Sequence, residues 1–136
     1  MPQIQRLVNL RRGRILASQI HPADTFSKRF KGLCLRRKFP VGEALWLSPC
    51  RSIHTLGMRF PIDALFLDDR LRVVDVRESI EPGRMVRPVP RASSVVELPA
   101  GTVRHTGTEV GDQLLVEPMK TREKLAGPGA DWVVTN

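Results

Sequence analysis

The chain has no tyrosine, and its aromatic content is limited to five Phe and two Trp in 136 residues. Single-stranded nucleic acids are commonly held on aromatic stacking platforms, so a protein this poor in aromatics lacks that device. Only two cysteines are present, Cys34 and Cys50, and no CxxC occurs. A dithiol redox motif is therefore excluded, and free thiols are expected. No apolar run approaches the roughly 18 residues that a membrane helix needs. The opening MPQIQRLVNLRRGR has no apolar stretch of the kind that export signals carry. It reads as a strand with basic flanks, and a cytoplasmic protein is expected. Neither GxGxxG nor GxxxxGK[ST] is found, and GxSxG is missing too. Nothing thus supports a nucleotide-driven enzyme or a serine hydrolase. No cofactor is expected.

What is present is a basic, turn-rich chain with a formal charge of +8, eleven Pro and ten Gly. The charge is unevenly placed. Residues 1–40 carry ten Lys/Arg and one Asp, against twelve Lys/Arg and thirteen Asp/Glu in residues 41–136. The basic excess therefore lies wholly in the first 40 residues, where it can attract nucleic acid or another anionic surface. Frequent Pro and Gly argue against long helices.

The apolar pattern predicts short strands. QIQRLVNL and RILASQI flank Gly13 as a basic-edged hairpin, and His21–Pro22 breaks the second strand. A short helix capped at Asp24 or Thr25 is predicted to run through Phe26, Phe30 and Leu33 and to stop at Gly32. ALWLSPC, residues 53–58, residues 62–67, residues 71–80, residues 94–98 and residues 113–117 read as strands. Residues 62–67 are apolar on both faces except for Asp63, as suits a strand buried on both sides. Residues 81–90 form a loop, and residues 102–108 a connector with a helical turn. The expected fold is α+β, mainly β: a small antiparallel or mixed, barrel-like sheet with one or two short helices. It forms a single globular domain over residues 1–120, followed by a polar tail, 121–136, that docks as an edge strand or hangs free.

KRFKGLCLR at 28–36, GEALWL at 42–47, SIHTLGMRFPIDALFLD at 52–68, SSVVELPAG at 93–101 and GDQLLV at 111–116 occur in that order. In this the chain resembles the domain of unknown function 192 family over roughly residues 15–117. The resemblance implies a compact, barrel-like α+β domain. No established activity comes with it, so no catalytic residue is carried over.

The candidate sites each have a structural alternative. Asp63 is either a pocket carboxylate or an acceptor of backbone N–H groups at the Pro61 bend, or a partner of Arg59; buried polar groups are usually satisfied internally. His54 follows Cys50 by four residues, a spacing of about 13 Å along a strand. A thiolate–base pair, or a pair of metal ligands, would need a turn at Arg51–Ser52. Cys34, His21 and His105 show no ligand spacing, and no metal site is assigned. Arg59, with Arg51, Arg84 and Arg87, either forms an anion site beside His54 or remains a set of separate solvated charges. The leading expectation is a non-catalytic domain. It would hold a small anionic ligand or a partner protein near His54, Met58, Arg59, Asp63, Arg84 and Arg87. The alternatives are nucleic-acid binding through Arg11, Arg12, Arg14, Arg36, Arg37 and Lys38, and an enzyme using Cys50 or His54. A monomer or weak dimer is expected, with no membrane partner.

Overall fold

The computed structural model describes residues 5–23 and 38–118. The predicted 24–33 helix, Cys34, Arg36, Arg37 and the C-terminal tail lie outside the described residues. Among the described residues, eight strands form two sheets: β1 Gln5–Asn9, β2 Arg14–Ala17, β3 Gln19–Ala23, β4 Glu43–Leu47, β5 Ile62–Leu67, β6 Val73–Ile80, β7 Ser94–Pro99 and β8 Leu114–Pro118. A helical turn, α1, spans Thr102–Thr106. One sheet has the order β2-β1-β8, and the other β3-β4-β7-β5-β6. The fold is α+β and mainly β, as expected, but the sheets pack as layers and do not close into a barrel.

RILASQI is not one strand. Ser18 interrupts it, and the amides of Ser18 and Gln19 both donate to the Gly42 carbonyl, at 2.9 and 3.0 Å. β2 stays in the three-stranded sheet, while β3 crosses to the edge of the other. There β3 pairs in parallel with β4 and continues through Pro22, opposite Trp46. A proline without an N–H is tolerated because β3 is an edge strand. Gly42 has φ 95°, and a Cβ there would stand 3.2 Å from Ser18 Oγ. The crossing therefore favours glycine.

The five-stranded sheet buries both faces. Leu65, Leu67, Val96, Leu98 and Ala44 meet Leu7, Leu16, Val103 and Leu114, which come from the smaller sheet and α1. Ile62, Ala64, Phe66, Leu47 and Val95 face the other way, against Cys50, Ile53, Met58 and Ala92. β5 and β7 are buried at every residue. This double burial explains why residues 62–67 read as continuously apolar. The predicted strand at 53–58 is a correction: it forms only an isolated bridge, His54 with Met85. Gly57, with φ 81°, interrupts the extended backbone there.

Candidate functional site

The segment at 50–55 runs beside the loop at 83–93 as an irregular ribbon over the second face. Cys50 N–H donates to Ser93 O at 3.0 Å, Val86 N–H to Ile53 O at 3.0 Å and Thr55 N–H to Arg84 O at 2.8 Å. The buried Thr55 hydroxyl donates to Glu81 O at 2.6 Å and accepts from Arg84 N–H at 2.9 Å. The sequence reading joined these two segments, and the structure does bring them together. Half-buried His54 and exposed Arg84 and Arg87 lie on them, and exposed Arg59 follows the first segment. The other two predicted residues go elsewhere: Met58 is packed in the core under the ribbon, and Asp63 faces the opposite side of the sheet. Cys50 and His54 are each engaged locally. The thiol donates to Ser52 O at 2.9 Å, and His54 Nδ1 accepts the Leu56 N–H at 3.2 Å. Among the described residues, no group of three or more His, Cys, Asp or Glu could hold a metal ion.

Asp63 is fully buried, and its carboxylate is saturated by backbone. Oδ1 accepts the Ser79 N–H at 2.8 Å. Oδ2 accepts those of Gly101 and Val103 at 3.1 and 2.9 Å. The N-cap position of α1 is Gly101, which has no side chain to offer. Asp63 therefore performs the capping from β5, accepting from first-turn donors that would otherwise be orphaned. Its third donor comes from a bulge. Ile62 pairs with Ile80 and Ala64 with Arg77, so Glu78 and Ser79 together oppose Asp63. Ser79 adopts φ 51°, which aims its amide at the carboxylate. The sequence reading foresaw backbone donors but placed them at the Pro61 bend or looked to Arg59; the actual donors are Ser79, Gly101 and Val103.

Glu97 was not singled out from the sequence. It lies at the sheet centre, between Leu45 of β4 and Ala64 of β5, and only 4% of it is exposed. It shares the second face with Val95. No hydrogen bond or ion pair reaches its side chain among the described residues. Burial pushes its carboxyl from the ordinary 4.5 up to about 8. The available signal was alternation: in SVVELP, Glu97 must share a face with Val95.

The third grouping is cationic. Arg11, Arg12, Arg14, Arg104 and His105 line an open hollow of about 460 Å³, beside Thr106 and Gly107. Three of these arginines come from the β1–β2 hairpin, which the sequence marked as basic. Arg104 and His105 come from α1, some 90 residues later, and were not anticipated. Lys38 is exposed and is not among the lining residues. The hairpin tip is fastened by Asp112, which is fully buried. Its Oδ2 accepts from Asn9 Nδ2 at 3.0 Å, the Glu109 N–H at 3.0 Å and Arg12 Nε at 3.4 Å. Burial acts to raise the Asp112 pKa, but the bonds from Asn9, Glu109 and Arg12 outweigh it and hold the carboxyl below its ordinary value. Arg12 also pairs with Glu109 at 2.7 Å, and Arg11 reaches Asp112 at 3.4 Å. Arg14 and Arg104 form no ion pair among the described residues.

The family model for domain of unknown function 192, described as an uncharacterized ACR, matches residues 8–116. The chain belongs to the domain of unknown function 192 family. Other relatives are similar along most of their length. A UPF0127 protein of Thermococcus sibiricus is 33% identical over 128 residues, covering 90% of this chain and 81% of that protein. A UPF0127 protein of Pyrococcus furiosus is 34% identical over 113 residues, covering 79% of this chain and 95% of the relative. Among solved structures, a Sinorhizobium meliloti protein, named as a candidate transcription regulator, superposes with TM-score 0.71 at 23% identity, covering 84% of this chain and 92% of that one. A Novosphingobium aromaticivorans protein of unknown function gives 0.70 at 18% identity, covering 82% and 83%. At such identities these two structures establish for this member of the domain of unknown function 192 family a shared fold.

Proposed function

We propose that the domain is a non-catalytic binding module for a phosphate-bearing ligand, held in the hollow of Arg11, Arg12, Arg14, Arg104 and His105. One observation carries this reading: a concave cluster of four arginines in which, among the described residues, only Arg11 and Arg12 are tied to acids. Guanidinium groups match phosphate oxygens with paired N–H donors, and tethering lowers the entropy lost when they bind. Arg11 and Arg12 are the tethered pair. Arg14 and Arg104 are the charge left unneutralised among the described residues. The small anionic ligand expected from the sequence is thus retained, but its site moves from the His54 ribbon to the β1–β2 hairpin and α1. The same arginines overlap the basic patch expected to meet nucleic acid, and phosphate is the chemistry common to both.

The test is calorimetric titration with inorganic pyrophosphate, alongside titration with labelled RNA and duplex DNA at two salt concentrations. Binding of pyrophosphate that is lost in an Arg14→Ala/Arg104→Ala variant is the expected result. Salt-dependent polynucleotide binding lost in the same variant would assign the phosphate to a nucleic-acid backbone. No binding of any of the three at low ionic strength, or binding that the variant leaves intact, would overturn the proposal.

A further inference from the structure

The arginine hollow does not stand alone. His105 and Thr106 also line a second hollow of about 540 Å³. Its character is opposite. Ile15, Val41 and Ala100 contribute apolar surface over the buried Leu16 and Ala17, and among the described residues no Asp, Glu, Lys or Arg lines it. The two hollows share His105 and Thr106, and both draw residues from β2, Arg14 at one and Ile15 at the other. Val41 stands at this hollow with 93% of its surface exposed, the most exposed of the large hydrophobic residues described. An isolated exposed valine needs no explanation. One beside a concave apolar wall that adjoins a cationic cluster has a specific use.

We infer that the two hollows form one bipartite site for an organic phosphate with an aliphatic body, the phosphate meeting Arg14 and Arg104 and the hydrocarbon lying against Ile15, Val41 and Ala100. This rests on the phosphate reading above and names the ligand class that reading leaves open. Concave apolar surface with a few convergent polar groups is the usual form of a small-molecule site. The body is aliphatic, not a nucleobase, because among the described residues neither hollow presents a Phe or Trp on which a base could stack. The geometry also orders the ligand: β2 runs from the cationic hollow at Arg14 to the apolar one at Ile15–Ala17, so the phosphate lies toward the hairpin tip and the chain toward Gly42.

The test is a calorimetric series of n-alkyl phosphates, methyl to hexyl, compared with inorganic phosphate and with the matching n-alkanols. Each methylene buried should tighten binding about four-fold, the equivalent of roughly 0.8 kcal/mol, while the alkanols should not bind measurably. The Val41→Asp variant should flatten the series. Because Val41 lies on an exposed turn, folding of that variant is readily checked by its unfolding midpoint. If inorganic phosphate binds but chain length has no effect, the apolar half of the site is wrong and the phosphate reading survives. If neither phosphate nor alkyl phosphate binds, both fall together. A nucleoside monophosphate binding more tightly than hexyl phosphate would overturn the aliphatic assignment. So would co-sedimentation with phosphatidic acid vesicles without any gain from soluble hexyl phosphate, which would place the phosphate on a membrane surface.

Discussion

The two faces of the five-stranded sheet treat a buried carboxylate in opposite ways. Asp63 and Glu97 lie on neighbouring central strands, and Asp63 pairs with Leu98, the residue after Glu97. Asp63 points toward the smaller sheet and α1. There the first turn of a helix and a bulge in β6 supply three backbone donors. Glu97 points under the loop ribbon, between Leu45 and Ala64, and no donor reaches it among the described residues. The same chemical group is therefore a structural keystone on one face and a protonated passenger on the other. Depth does not explain the contrast, since both side chains are buried. What differs is whether the covering layer brings free backbone N–H groups. A helix start does so by necessity. The ribbon spends its amides on its own cross-pairing, as the bonds at Cys50, Thr55 and Val86 show.

The largest expected effect is at Asp63. Asp63→Ala would leave three buried amides unsatisfied and uncap α1. Bonds to a charged acceptor contribute about 1.5–3 kcal/mol each, and relaxation recovers part. A loss of about 4 kcal/mol is expected, with a fall in Tm of more than about 10 °C. Thermal unfolding would measure it. Asp63→Asn should recover only part of the loss, because its NH₂ group replaces an acceptor with a donor facing other donors.

Glu97 should answer to pH. Its folded pKa of about 8 lies above the ordinary 4.5, so between those values the folded state holds a proton that the unfolded state has released. Stability then falls as pH rises through that window. The drop should be on the order of 3 kcal/mol between pH 5 and pH 9, less than the full shift because the site can relax. Denaturant midpoints across that range would show the slope, and Glu97→Gln should flatten it. A Glu97→Gln protein that keeps the same slope would show that another group titrates there.

Asp112 sharpens the comparison from outside the sheet. It resembles Asp63 in being buried and multiply bonded, but its partners include the Asn9 and Arg12 side chains. Its lowered pKa gives stability that is present above the ordinary 3.8 and lost as pH falls through the lower folded value. Asp112→Asn should cost about 2 kcal/mol near neutrality. It should also loosen the hairpin tip, weakening pyrophosphate binding, because Arg11 and Arg12 lose their bonds to Asp112 and keep only Glu109. Urea unfolding and calorimetry would read the two effects separately.

The sequence was most legible where structure is local. The 62–80 hairpin, its polar turn at 68–70, the helical turn after Gly101 and the basic β1–β2 tip all follow from neighbouring residues. It was least legible where a contact spans distance. Nothing near Asp63 announces amides 38 and 40 positions away at Gly101 and Val103. Nor does the hairpin at Arg11–Arg14 announce Arg104. The 53–58 segment carries strand-like residues, yet Gly57 and the competing loop leave it only a bridge. Ser18 divides RILASQI through an interaction with Gly42, which no window centred on either residue would include.

The smallest prediction challenges the comparison itself. If the face toward α1 were simply the satisfied one, it would hold no orphans, yet Ser94 Oγ and Trp46 Nε1 are buried there without a hydrogen-bond partner among the described residues. Ser94 pairs with Leu67 and Trp46 with Val96, both on the same face as Asp63. The distinction must therefore be one of charge and not of polarity in general. An unpaired hydroxyl or indole N–H costs about 1–3 kcal/mol, far less than an unpaired ion. That face supports a carboxylate because α1 and the bulge are aimed at one position only. Ser94→Ala should accordingly be neutral or stabilise by up to about 1 kcal/mol, measured as a shift in urea midpoint at constant slope. A loss comparable to that of Asp112→Asn would mean that Ser94 has a partner and that donors on this face are spread more widely than Asp63 alone implies.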